Sequence, residues 1–242
     1  MNWSPSESRS GGTFRRLKRE LAPLLDEAPP DALLAAVRRM APEQAVNPLI
    51  AFFYHPRPIV RWRAVSAFGD VVARMARTRM ESARVTMRRL MWHLNDESGG
   101  IGWGAPEAMG ETLARSRPLA LEFHRILVSY IRPEGNFLEH PILQRGALWA
   151  VGRLAGVHPA LAADAVPALT HFLQSADAHH RGLAAWAAGR IGDRALAAAI
   201  MDLRRDAQPV ELYRRWQLEQ VAVADLAAEA LARLAAGRES AL

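Results

Sequence analysis

The chain has 242 residues, 50% of them hydrophobic and 23% charged, enough to bury a core and too apolar for a disordered tail. Zero cysteines exclude a disulfide scaffold, thiolate metal sites and a Cys nucleophile. The net charge of +6 points towards an anionic partner, but Lys18 is the single lysine among 31 basic residues, so arginine placement matters more than arginine number.

Residues 1–12, MNWSPSESRSGG, are Ser/Gly-rich and read as a disordered tail without the apolar run of a signal peptide. No stretch approaches about 18 uninterrupted apolar residues, so no membrane span and a cytoplasmic location are expected. Residues 13–242 read as a single domain that opens with two capping helices, about 13–27 and 31–41. Beyond them the chain repeats itself. RWRAVSAFGDV (61–71), GWGAPEAMGET (102–112), QRGALWAVGRL (144–154) and RGLAAWAAGRI (181–191) align, and VADLAAEALARL (223–234) aligns with Ala232 in place of glycine. The anchors Gly69, Gly110, Gly152, Gly189 and Ala232 stand 41, 42, 37 and 43 residues apart, the period of paired-helix repeats.

Small residues recur five and two positions before each anchor, and at 100° per residue they form one buried helical stripe. A glycine inside a helix costs about 1 kcal/mol against alanine, so its return implies a neighbouring helix too close for a side chain. Between anchors lies a second helical pattern at 45–54, 83–94, 118–131, 165–174 and 195–205. The segment 210–236 should cap the last repeat, and no strand pattern is evident. The expected fold is an all-α, right-handed solenoid of about five helix pairs.

RGLAAWAAGRIGDRALAAAIMDLRRD (181–206) resembles the HEAT-like repeat of the phycobiliprotein-lyase type, and the resemblance extends over roughly 45–235. It implies an α-solenoid; members include chromophore lyases, adaptors and nucleic-acid-binding enzymes, so it leaves function open.

The helix face opposite the core stripe carries Trp62, Ser66 and Asp70, then Trp103, Glu107 and Glu111, then Arg145, Trp149 and Arg153, then Gly182, Trp186 and Arg190, then Asp225, Glu229 and Arg233. If these helices line the concave side, tryptophans run along a groove with carboxylates in its first half and arginines in its second. Aromatic residues and arginines together are typical of binding hot spots, although each Trp could instead cover a step between repeats. The run Gly99–Gly104 departs from the pattern: it could cradle an anion or tuck Trp103 under the solenoid, with the next helix starting near Ala105. Nine arginines between 57 and 89 face only Asp70 and Glu81, and Arg74, Arg77, Arg84, Arg88 and Arg89 could track phosphates. The histidines show no metal spacing, and no cofactor motif occurs.

A weaker resemblance is to the HEAT-like alkylpurine DNA glycosylases. Trp103 with Glu107, plus Arg145 and Trp149 or Trp186, repeat that family's residue types in similar order, with Glu where the family has Asp. It implies a carboxylate that supports departure of a cationic base. The expectation is a non-catalytic scaffold without metal or cofactor. It would bind a protein partner through Trp103, Glu107, Glu111, Arg145, Trp149, Arg153, Trp186 and Arg190. The alternative is nucleic-acid binding, extending to glycosylase activity.

Overall fold

The computed structural model describes residues 5–95 and 102–239. Two N-terminal helices, α1 (Pro5–Glu27) and α2 (Pro30–Arg38), precede five helix pairs. The pairs are α3 (Pro42–Ile50) with α4 (Pro58–Thr78), α5 (Met80–Asn95) with α6 (Ala105–Arg115), and α7 (Arg117–Ser129) with α8 (Pro141–Ala155). They continue with α9 (Val166–Leu173) and α10 (Ala178–Ile191), then α11 (Ala197–Asp202) and α12 (Val223–Glu239). This is the all-α solenoid expected from the repeat. Helix α1 begins inside the stretch read as a tail; residues 1–4 lie outside the described residues. No helix is long and apolar enough to cross a membrane, among the described residues.

Proline opens α2, α3, α4 and α8, where a missing N–H costs nothing because the first turn has no intrahelical partner to offer it. The second helices of the pairs stack in order: α4 on α6, α6 on α8, α8 on α10 and α10 on α12. The anchor glycines sit at these crossings. A Cβ on Gly110 would lie 2.5 Å from the Ala150 Cα, and one on Gly189 2.5 Å from the Ala230 Cα, so backbone meets backbone there. At Gly69 the obstacle is the Glu111 side chain, and at Gly152 it is the Trp186 ring.

One expectation is corrected. Residues 210–236 do not form a helical cap throughout: Pro209–Arg214 (β1) and Gln217–Ala222 (β2) pair antiparallel as a hairpin, with Val210 opposite Val221 and Tyr213 opposite Leu218. Only then does α12 begin. The hairpin lies against the inner row of helices. Val210, Leu212 and Tyr213 are buried, and Gly182 of α10 makes room for Val210, whose Cγ2 would be 2.9 Å from a Cβ there.

Candidate functional site

The face predicted from sequence exists, and the hairpin crosses it. Tyr213 stacks on Trp62 of α4 at 4.9 Å, its hydroxyl is 3.0 Å from Ser66 Oγ, and its carbonyl accepts from Trp149 Nε1 of α8 at 2.8 Å. Trp149 is therefore 3% exposed, and Trp186, packed against Gly152 and Arg190, is 4% exposed, where an open groove was expected. The expected single groove becomes two cavities with Trp149 in the wall of both. Glu111, Arg153, Trp186 and Arg190 face the first; Trp103, Glu107 and Arg145 face the second.

The first cavity, of about 820 Å³, lies between α6, α8, α10, α12 and the hairpin turn. Its electrostatics follow the row of positions one residue past each anchor: Asp70, Glu111, Arg153, Arg190 and Arg233. Asp70 is buried and accepts from Arg38 at 2.7 Å, with Arg115 at 3.6 Å. Glu111, also buried, accepts from Arg115 at 2.5 Å and from Arg153 at 2.6 Å. Each of these carboxylates is matched by arginines from neighbouring helices, as a desolvated charge requires. The row then runs out of acids. Arg190 lies over the Trp186 ring at 3.9 Å, and neither it nor Arg233 has a carboxylate within 4 Å among the described residues. Burial, then the nearby Arg233, push the Arg190 guanidinium down to about 10. Arg214 is held by Glu219 at 2.7 Å and Glu229 at 2.8 Å, and Arg215 reaches Glu219 at 3.6 Å. The cavity wall holds more guanidinium than carboxylate.

The second cavity, of about 350 Å³, is enclosed by Phe53, Trp62, Trp103 and Trp149. Gly104 has φ 75° and caps α6, and a Cβ there would lie 2.8 Å from Phe53 Cγ, so this one glycine is needed twice. Helix α6 starts at Ala105, as the proline at 106 suggested, and sets Glu107 in its first turn. Burial pushes the Glu107 carboxyl up to about 7, and its Oε2 is buried without a hydrogen bond. Arg145 is paired with Asp177 at 2.7 Å. Of the glycine run 99–104, residues 99–101 lie outside the described residues.

The arginine cluster is largely spent on internal contacts. Arg84 bonds Glu122 at 2.7 Å, Arg88 bonds Glu81 at 2.5 Å, Arg89 donates to Asn47 at 3.0 Å, and Arg74 donates to the Val37 and Arg38 carbonyls at 3.2 Å. Of the five, Arg77 and Arg89 are exposed without a carboxylate within 4 Å among the described residues, and Arg89 is held by Asn47.

Sequence reasoning missed the hairpin and hence Glu211, Tyr213, Arg214 and Trp216 as site residues. The alternation Val210–Glu211–Leu212 was a signal for it, but only a few residues long.

The HEAT-like repeat family matches residues 141–191, the α8 to α10 segment. Over these residues the chain is similar to a HEAT-like repeat. An uncharacterized protein of Archaeoglobus fulgidus is 28% identical over 183 residues, 75% of this chain and 92% of that protein. A crystal structure of an engineered protein superposes with a TM-score of 0.53 at 16% identity, covering 92% of this chain and 97% of that one. A designed armadillo repeat protein in complex with the peptide (KR)4 superposes with a TM-score of 0.50 at 16% identity, covering 91% and 99%. These two share the fold. The matched segment supplies Trp149, Arg153, Trp186 and Arg190 to the first cavity and Arg145 to the second.

Proposed function

We propose that this HEAT-like repeat chain is a non-catalytic scaffold that binds a protein partner through an acidic segment in the first cavity. The observation that carries this reading is Arg190: a half-buried guanidinium over Trp186, beside Arg153, Arg214 and Arg233, with Glu229 acting on it from a distance and no carboxylate within 4 Å among the described residues. A carboxylate entering there would offset the repulsion among the arginines and form charge-assisted hydrogen bonds, which are roughly twice as strong as neutral ones. The cavity's volume suits a few extended residues and not a folded domain. The peptide-bound armadillo neighbour supports peptide capture on such a fold, there with a basic peptide. Here the wall charge calls for the opposite sign.

Fluorescence anisotropy with a labelled Asp/Glu-rich peptide, a Lys/Arg-rich peptide and a DNA duplex tests this. The acidic peptide should bind, weaken with salt, and lose about tenfold affinity in Arg190→Ala, the scale of one charge-assisted contact. The basic peptide should not bind. Acidic-peptide binding that ignores Arg190→Ala would sink the reading. Tighter binding of the duplex, lost on charge removal at Arg77, would move the function to nucleic acid.

A further inference from the structure

The second cavity has a different character from the first. Four aromatic rings enclose it, and two carboxyl groups point their chemistry into it. Glu107 comes from α6 and packs against Gly146 of α8, where a Cβ would lie 2.6 Å from Oε1; the glycine is the condition for the carboxyl to be there. Glu211 comes from β1, and burial pushes it up as well. The remaining charged and titratable groups are accounted for. Arg145 is committed to Asp177 at 2.7 Å. His179 Nε2 accepts the Glu211 backbone N–H at 3.3 Å, and burial lowers the ring's affinity for a second proton, so His179 is neutral. Arg61 lines the wall with no carboxylate within 4 Å among the described residues, its guanidinium donating to the His55 carbonyl at 3.4 Å. Two carboxyls thus share one guanidinium, Arg61, which acts on both electrostatically but lies beyond 4 Å of either.

A buried carboxylate without a partner is costly, and a cation removes that cost. Aromatic faces attract the same cation through their quadrupoles. A bare ammonium is strongly hydrated, and against four aromatic rings it would exchange most of that shell for the two carboxyls alone. An alkylated ammonium is weakly hydrated and has little shell to exchange. We propose that this cavity binds an alkylated ammonium group, with Trp62, Trp103 and Trp149 as its walls and Glu107 as its counter-ion. The group could belong to a free small cation or to a methylated lysine of a protein; the cavity chemistry is the same.

The test uses the full chain at about pH 8, above the value of about 7 to which burial pushes Glu107. Choline is titrated by calorimetry and tryptophan fluorescence, with 3,3-dimethylbutanol as its neutral isostere. Choline should bind at least about tenfold more tightly than the isostere, the scale of a desolvated cation–π contact. Glu107→Gln should abolish that preference, and Trp103→Leu should weaken choline about tenfold, both with thermal unfolding followed to verify folding. Equal binding of the two ligands, or none of choline at ~10 mM, overturns the proposal. So does a folded Glu107→Gln or Trp103→Leu protein that binds choline unchanged. A trimethyllysine peptide bound more tightly than choline, with its unmethylated form rejected, assigns the site to a protein side chain. The reverse order assigns it to a free small cation. Neither outcome depends on acidic peptides in the first cavity.

Discussion

Trp149 on α8 donates its indole N–H to the carbonyl oxygen of Tyr213, 64 positions later, at 2.8 Å. This bond and the Tyr213–Ser66 contact hold the hairpin across the inner helices and divide the groove. Trp149→Phe keeps an aromatic ring but leaves the Tyr213 carbonyl without its donor. The expected cost is about 1–3 kcal/mol in denaturant unfolding. Amide exchange should quicken over 209–222 well before it does in α8, because the lost bond fastens the hairpin and not the helix.

The helix crossings make a second prediction. Gly110→Ala and Gly189→Ala each push a methyl against a neighbouring Cα, which cannot rotate away. Each should destabilise by about 1–3 kcal/mol. Gly12→Ala, in α1 with nothing within 4 Å, should gain up to about 1 kcal/mol from helix propensity alone. Equal effects at all three positions in thermal melts would contradict the close-crossing account.

At the tip of the hairpin, Arg215 and Trp216 have φ of 52° and 65°, where side chains are disfavoured. The Arg215 side chain is 78% exposed and reaches Glu219 at 3.6 Å. Arg215→Gly should therefore raise stability, by about 1 kcal/mol, as the strain is released. Trp216→Gly should not gain, since it also strips apolar contact from the core. Paired melting curves decide this.

The Glu107 carboxyl titrates near 7 in the folded chain against 4.5 when unfolded, because burial penalises its charge. The folded state thus holds a proton that the unfolded state releases. Its contribution is fully present below about pH 4.5 and is lost as pH rises through about 7. Glu107→Gln has no such titration. Wild type should lose stability relative to Glu107→Gln between about pH 4.5 and 7, with a constant difference above. Unfolding midpoints of both proteins across that range read the effect directly.

Much of this was legible in the residues. The anchor glycines and their flanking alanines report a crossing repeated about every forty residues, and the structure places a neighbouring helix at each one. The order of charge along the inner row, Asp70 and Glu111 followed by Arg153, Arg190 and Arg233, is also found in the structure, with Glu111 paired to Arg153 where the acids end. The hairpin was not legible. A two-residue turn with positive φ at both positions is normally signalled by Asn-Gly, and here the pair is Arg215–Trp216. Its strands are six residues each, too short for alternation to outweigh the helical pattern on either side.

The sequence by itself determined the helices, their pairing and the order of charges on the inner face, because those depend on contacts within a turn or one repeat away. What only the tertiary structure decided is what covers that face. Tyr213 meets Ser66 across 147 positions, and no local periodicity encodes such a contact. That long-range docking covers Trp149, lays Tyr213 on Trp62 and splits one groove into two cavities.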